Sequence, residues 1–392
     1  MPLFFHSPLT HTLLVFALLN GTTLYAASAP QEADTAPTAA SRPPTLDETQ
    51  AFALYGHIDT DLISNMRGGL QSGSGVASVA VGGMSFTGDT LGLPGSTFNL
   101  SAMAIYADDV NGRYIGAITN PSNIEGNVTR IILDTAFWQQ DWLKSPDLGF
   151  TTRLGMYDLN SEFIRTDSAA QLLNSSFGMD PSMTENFSVS TFPKNGTGLV
   201  ATLGNSDTPD SAPLALKLAL FQGEVDTQTH PFSQGLLSMA EAQWRPLDNS
   251  ALKLGIWEKH GNDQPSVRGA YVSAETRLLQ RAEQSLDAFI RASFADNHAQ
   301  ADAVRPKKYW AGGLSWDAPM PTRPHDIFTL GFGGLQLEGG DATSTGHERF
   351  FEISYIAQIN PHIYLQPDLQ FIQSPSGEQP DAWVGILRLH IE

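Results

Sequence analysis

The chain contains no cysteine among its 392 residues. Small exported domains commonly rely on disulfide bonds, because their hydrophobic cores alone give them little stability. A disulfide framework is excluded here, so packing and hydrogen bonds must hold the fold together.

Basic residues are scarce in this sequence. Lys and Arg total 22 against 41 Asp and Glu, which gives a formal net charge of −19. A chain this acidic repels the phosphate backbone, so we expect no nucleic-acid partner. We attribute the charge to the solubility of exposed loops and turns.

Long hydrophobic runs are missing beyond the first residues. The run Leu13–Leu19 is too short to cross a bilayer, which takes about 20 apolar residues, and the small residues Ala26–Ala29 follow it. This pattern predicts a signal peptide at 1–29. The Ala-, Pro-, Thr- and Ser-rich stretch that follows predicts a flexible leader at 30–45, which leaves one domain at 46–392.

Signatures of common enzymes are also missing. There is no His-Glu-x-x-His, no Gly-x-Ser-x-Gly and no phosphate-binding Gly-Lys-Ser/Thr loop, and the histidines lie scattered without metal-ligand spacing. We therefore expect no catalytic residues, no cofactor and no metal site.

Alternation of apolar and polar side chains is the pattern that is present. Leu214, Leu216, Leu218 and Leu220 share one strand face, and Lys217 lies on the other. Such strands form antiparallel sheets. A soluble sandwich would bury the apolar face between two sheets, whereas a membrane barrel would turn it to lipid.

The number and spacing of the strands favour the barrel. The pattern predicts sixteen strands with cores at 53–64, 77–89, 97–107, 128–140, 149–158, 197–205, 213–223, 236–245, 251–259, 268–279, 285–295, 308–317, 326–336, 348–358, 362–372 and 382–391. Short turns such as Gly92–Gly95 alternate with longer polar connections such as Asp108–Asn127, which is the outer-membrane arrangement. The predicted fold class is all-β, a transmembrane antiparallel β-barrel. Most tryptophans lie near predicted strand ends, as the aromatic belts of such barrels require.

One connection stands out by its length. Asn160–Asn195 follows the fifth strand and contains the apolar residues Phe163, Leu172, Phe177 and Phe187, which need something to pack on. We expect this segment to fold into the lumen and to act as a constriction loop.

Several motifs resemble the carbohydrate-selective porin (OprB) family. The most specific are Gly155–Phe163 and Asn174–Gly178, and Leu91–Phe98, Pro121–Gly126 and Leu365–Ile372 resemble further family segments in the same order. The resemblance runs from about residue 60 to the C-terminus. It implies a sixteen-stranded barrel in the bacterial outer membrane that lets sugars such as glucose diffuse into the periplasm. At one departure, Thr135 precedes Ala136-Phe137 where the family tends to carry an acidic residue.

Candidate pore-lining residues follow from the polar strand faces and the root of the long loop. Sugars present hydroxyls and apolar ring faces, which suit planar donors, carboxylates and aromatics. The candidates for contact with the sugar are Arg153, Tyr157, Glu162, Arg165, Arg130, Asp134 and Arg291.

Three other functions remain open at the level of sequence. An unselective diffusion channel would have the same barrel, an outer-membrane barrel enzyme would need a Ser-His-acid set at one rim, and a soluble periplasmic glycan-binding β-protein would not need lipid. A homo-oligomer is possible, but no patch in the sequence identifies a subunit interface.

Overall fold

The computed structural model describes residues 51–125, 129–225, 230–261, 266–296, 304–339 and 345–392. The predicted signal peptide at 1–29 and leader at 30–45 lie outside these residues.

Sixteen strands account for most of the described chain. They are β1 (Phe52–Arg67), β2 (Gly73–Thr87), β3 (Ser96–Ala107), β4 (Arg130–Ser145), β5 (Leu148–Tyr157), β6 (Gly196–Gly204), β7 (Leu214–Gln222), β8 (Leu236–Leu247), β9 (Ser250–His260), β10 (Val267–Arg281), β11 (Gln284–Asp296), β12 (Arg305–Asp317), β13 (Ile327–Glu338), β14 (Thr345–Asn360), β15 (Ile363–Gln373) and β16 (Ala382–Ile391). Each overlaps one predicted core, so the expected all-β class and strand number are confirmed.

The strands close into one antiparallel barrel. Each strand pairs with its neighbours in sequence, and β1 pairs with β16, with Thr60 opposite Leu389. Closure pairs the backbone of every strand on both sides and leaves no sheet edge.

Helical structure is confined to short turns in the connections. These are α1 (Pro181–Thr184), a π-turn at Asn111–Ile115 and 3₁₀ turns at Gly88–Leu91, Leu159–Ser161, Ala169–Gln171, Ser175–Phe177, Pro209–Ser211 and Pro375–Gly377. In the described part of the chain, every helix is too short or too polar to cross a membrane.

The two ends of the barrel differ in their connections. At the turn end, strands are joined by tight connections such as 146–147, 248–249 and 361–362. At the loop end, the long connections 108–129 and 158–195 emerge. The segregation predicted from the sequence is therefore present only in part, because 68–72 at the loop end is short and 205–213 and 318–326 at the turn end have nine residues each.

The distribution of apolar residues is inverted relative to a soluble protein. On β7, Leu214, Leu216, Leu218 and Leu220 are 43–55 % exposed, whereas the intervening Lys217 is only 5 % exposed. Apolar side chains therefore cover the outside of the barrel and polar side chains face its interior, as in a protein that is surrounded by lipid.

Most tryptophan positions follow this division. Five of the seven are exposed on the outer surface, Trp142, Trp244, Trp310, Trp316 and Trp383, and Trp138 is half-buried. Trp257 is buried instead, because it shares the inward phase of β9 with Lys253 and packs against Phe187, with ring centroids 5.3 Å apart. It therefore lies outside the aromatic belts that the sequence predicts.

Candidate functional site

The connection between β5 and β6, residues 158–195, packs against the inward face of the barrel wall. Phe163, Leu172 and Phe177 are fully buried. The Phe177 ring meets Phe289 of β11 and Phe350 of β14 edge-on, at centroid distances of 5.9 and 5.4 Å. The apolar residues that stood out in the sequence therefore anchor the segment to the wall.

A glycine in β13 makes room for this packing. A side chain at Gly331 would place its first carbon 2.5 Å from the Phe177 ring and 2.6 Å from Leu172. Any other residue at this position would therefore displace the segment.

Arg291 of β11 holds the segment through its backbone. The guanidinium donates to the carbonyls of Ile164 (2.7 Å), Phe177 (2.6 Å) and Gly178 (3.1 Å), and to the Thr166 hydroxyl (2.6 Å). Arg291 is itself buried. Its donors are used to position the connection.

Inward-facing carboxylates of the wall hold the backbone N–H groups of the same connection. Glu352 of β14 accepts from Leu173 (2.5 Å) and Asn174 (3.0 Å), and Glu241 of β8 accepts from Ile164 (3.1 Å). Charge-assisted hydrogen bonds of this kind are among the strongest in proteins. The segment is thus fixed to strands on opposite sides of the barrel and must cross the lumen.

A second connection also folds inward, which the sequence did not predict. Residues 108–125, between β3 and β4, bring Ile118 and Thr119 N–H groups to Glu348 of β14, at 2.8 and 3.2 Å, and the Ser122 hydroxyl to Asp61 of β1, at 2.6 Å. The two inward connections touch where Ser175 N–H donates to the Asn120 carbonyl.

Between these connections and strands β2–β5 lies a cavity of about 750 Å³, called here the channel cavity. It extends from Asp210 near the turn end to Asp158 near the loop end. Four of the candidate residues line it: Asp134, Arg153, Tyr157 and Arg165. The other candidates, Arg130, Glu162 and Arg291, are not among the described lining residues.

Arg153 is the most firmly held cation of the channel cavity. It pairs with Glu162, and its Nη2 donates to Gln139 Oε1 at 2.6 Å. The guanidinium lies over the Phe137 ring, 4.7 Å from its centroid, and 5.5 Å from that of Tyr157. A guanidinium fixed by a carboxylate, an amide and two aromatic rings presents its remaining donors in a defined direction.

Glu162 is buried beneath Arg153 and is shared with Lys217 of β7. Lys217 Nζ lies 3.1 Å from Glu162 Oε2 and 2.8 Å from Asp210 Oδ1. Lys217 and Gln139 were not candidates in the sequence, although the alternation placed Lys217 on the polar face of its strand. Glu162 therefore orients Arg153 and does not face the open cavity.

The remaining candidates occupy distinct places. A bulge in β4 leaves Asp134 as an extra residue between the pairs Leu133–Ala102 and Thr135–Ser101, so this strand changes phase here. Asp134 accepts from the Ser101 hydroxyl (2.8 Å) and the Asn195 amide (2.9 Å). Arg165 pairs with Asp167 at 2.9 Å, and Arg130 is exposed at the first residue of β4.

Two carboxyl groups of the inward connections have altered acidity. Burial raises the pKa of Glu125 to about 7, although its Oε1 accepts from Asn111 N–H at 2.8 Å. Burial also raises the pKa of Asp158 to about 6, against the opposing effect of hydrogen bonds from Asn160 N–H and Thr191. Both groups line the channel cavity.

No grouping of three His, Asp or Glu side chains in the described residues could hold a metal ion. The channel cavity is lined by hydrogen-bonding groups and aromatic rings. A closed barrel with an apolar exterior, a polar interior and an obstructed lumen defines the class of outer-membrane porins.

The family model "Carbohydrate-selective porin, OprB family" matches residues 83–250 and 194–392, and the chain belongs to this family. It is an outer-membrane channel for the diffusion of small carbohydrates into the periplasm. No curated protein sequence matches the chain.

Solved structures share the fold at low sequence identity. The high-pH structure of Pseudomonas putida OprB has a TM-score of 0.75 at 14% identity, covering 87% of this chain and 94% of that one. The low-pH structure of the same protein has a TM-score of 0.56 at 13% identity, covering 87% and 92%. A multiply substituted Rh. blastica porin has a TM-score of 0.53 at 12% identity, covering 87% and 100%.

Proposed function

We propose that sugars cross this porin through the channel cavity, between the inward connections and strands β2–β5. Residues 158–195 form its constriction loop, and Arg153 is the principal donor to the sugar hydroxyls. Asp134, Tyr157 and Arg165 complete the lining that the sugar meets, while Glu162 and Arg291 hold the lining in place. A porin site must bind its solute well enough to admit it and weakly enough to release it, which a few fixed donors achieve.

The observation that carries this proposal is the setting of Arg153. The Arg153 side chain is 20 % exposed, while Glu162, Gln139 and Phe137 hold its guanidinium in place at the channel cavity. A hydrogen bond to a charged donor contributes about 1.5–3 kcal/mol, so this contact favours solutes with hydroxyl acceptors.

The lining also discriminates by charge. Its acidic residues outnumber its basic residues: Glu125, Asp134, Asp141, Asp158, Glu185, Asp207 and Asp210 lie with Lys144, Arg153 and Arg165. Burial raises the pKa of Glu125 and Glu185 to about 7 and that of Asp158 to about 6, so the excess of negative charge grows as the pH rises through this range. Neutral sugars should therefore pass more readily than anionic solutes of equal size.

Liposome swelling with glucose, maltose and glucuronate tests the pathway. We expect glucose to enter faster than glucuronate, and Arg153→Gln to reduce maltose entry at low concentration by up to about tenfold. Arg130→Gln is the matched control, because Arg130 lies outside the cavity lining, and it should leave all three rates unchanged. Equal rates for the three solutes in the wild type would support the second candidate, an unselective diffusion channel.

Two further expectations belong to the same proposal. The protein is a passive channel without catalytic activity, which hydrolase and lipase assays on the purified porin would test. Homo-oligomerisation stays a prediction, and light scattering of the detergent-solubilised protein would measure it.

A further inference from the structure

A second cavity, called here the vestibular pocket, lies at the loop end of the barrel beside α1. Its volume is about 540 Å³, within the range of roughly 300–1,000 Å³ that small-molecule sites occupy. It is bounded by the ends of β9, β10 and β12 and by the connection 223–235 between β7 and β8. The polar and aromatic groups that line it include Glu185, Phe187, Glu224, Gln234, Lys259 and Arg305.

The walls of the vestibular pocket are fixed by contacts of their own. Arg305 Nη1 donates to the carbonyls of Glu185 and Asn186, both at 3.0 Å. Lys259 Nζ lies 5.1 Å from the centroid of the Phe187 ring, and that ring packs on buried Trp257. Contacts within the protein therefore hold the walls of the pocket in place.

Neither sign of charge dominates its lining. The acids Glu185 and Glu224 lie with Lys259 and Arg305, burial raises the pKa of Glu185 to about 7, and Gln234 adds an amide that both donates and accepts. A neutral molecule with many hydroxyls can contact all of these groups, because each hydroxyl donates and accepts. An anionic or cationic solute would instead meet a like charge on one wall.

The pocket also adjoins the proposed pathway. Thr184 and Glu185 line both the vestibular pocket and the channel cavity, so the two cavities meet at these residues.

We infer that the vestibular pocket is a second carbohydrate site, which holds a neutral oligosaccharide at the outer mouth before it enters the channel cavity. This inference rests on the proposed function in one respect, which is that the channel cavity receives the sugar. The pocket raises the local concentration of sugar at the entrance and matters most when sugar is dilute.

Trp257 provides a direct measurement of binding, because it lies behind Phe187. Maltotriose added to the detergent-solubilised full chain should change the tryptophan emission in a saturable manner, and the change should be absent in Trp257→Phe. The double variant Glu224→Gln, Lys259→Gln should raise the half-saturating concentration about tenfold, because it weakens two charge-assisted hydrogen bonds. Glucuronate at equal concentration should have no effect.

Arg153→Gln separates this inference from the proposed pathway. It should change liposome swelling and leave the maltotriose titration of the Trp257 signal as in the wild type. Three results would overturn the inference: a signal that persists in Trp257→Phe, the same half-saturation in the double variant, or an equal shift in Arg153→Gln. A failure of the pathway alone would appear in swelling and not in fluorescence.

Discussion

At the scale of single residues, Glu125 combines burial with a position in the lining of the channel cavity. Its pKa is raised from an ordinary 4.5 to about 7, so the folded state favours the protonated carboxyl. An acid whose pKa rises on folding destabilises the folded state once it ionises. The contribution of Glu125 to stability is therefore greatest below about pH 4.5, falls as the pH rises towards 7, and levels off above that value.

This pH dependence can be measured with one substitution. Glu125→Gln keeps an oxygen for Asn111 N–H and removes the ionisation, so we expect it to stabilise the protein at pH 8 by up to about 3 kcal/mol, and little at pH 4. The thermal midpoint of the change in gel migration, recorded from pH 4 to 8, gives the comparison. Glu378→Gln, at an exposed residue of the β15–β16 connection, serves as the control. Parallel curves for wild type and Glu125→Gln would contradict the assignment.

Residue roles were predictable from the sequence only where the strand pattern determines them. Arg153 and Tyr157 lie on the polar face of β5, and both line the channel cavity, as that pattern indicates. Lys217, Glu348 and Glu352 act through partners more than fifty residues away, and alternation cannot identify such pairs. The bulge at Asp134 changes the phase of β4, so the face of Arg130 could not be read from the pattern either.

At the scale of elements, the position of the inward connection 158–195 depends on Arg291. Arg291→Met would leave the carbonyls of Ile164 and Phe177 buried without their donor, and each unpaired group costs about 1–3 kcal/mol. We expect the barrel to form but the loop to fluctuate, with noisier single-channel currents in planar bilayers and faster proteolysis within 158–195.

Arg268→Met is the matched control for this variant. Arg268 is largely exposed near the loop end and pairs only weakly with Asp296, at 3.4 Å. The single-channel currents of the Arg268→Met variant should equal those of the wild type. Quiet currents and an intact loop in Arg291→Met would show that the aromatic contacts of Phe177 suffice to hold the segment.

Strands and loops differ in how far sequence determines them. A strand with one face in lipid must alternate, so the cores of all sixteen could be predicted to within a few residues. The connection 108–125 has no such pattern. Its inward path depends on Asp61, Glu348 and Arg388, which lie on β1, β14 and β16. The sequence could not identify these residues as its partners, because only the closed barrel brings the three strands close to the connection.

At the scale of the whole molecule, the closing seam between β1 and β16 contains a buried ion pair. Asp61 and Arg388 are register partners, joined by two hydrogen bonds of 2.7 Å, and neither is exposed. Arg388→Met alone would leave a buried carboxylate unpaired, which costs about 3–5 kcal/mol.

We expect this cost as a lower temperature of barrel unfolding in heat-modifiable gel migration. Adding Asp61→Leu to Arg388→Met should restore part of the loss, because the unpaired charge is then gone. Arg277→Met breaks a more exposed pair with Asp287 and should cost at most about 1 kcal/mol. Equal effects of Arg388→Met and Arg277→Met would argue against a special role for the seam.

The inverted distribution of side chains predicts how the molecule responds to a charge on its surface. Leu218 lies mid-strand on β7, 52 % exposed on the outer face, whereas Leu247 is 68 % exposed at the last residue of β8. In water, either residue would accept arginine at little cost. In a bilayer, Leu218→Arg should cost about 2–4 kcal/mol and Leu247→Arg at most about 1 kcal/mol, because the penalty depends on depth. Urea unfolding in lipid vesicles measures both, and equal small effects, together with a monodisperse protein in detergent-free buffer, would show that lipid does not surround this barrel.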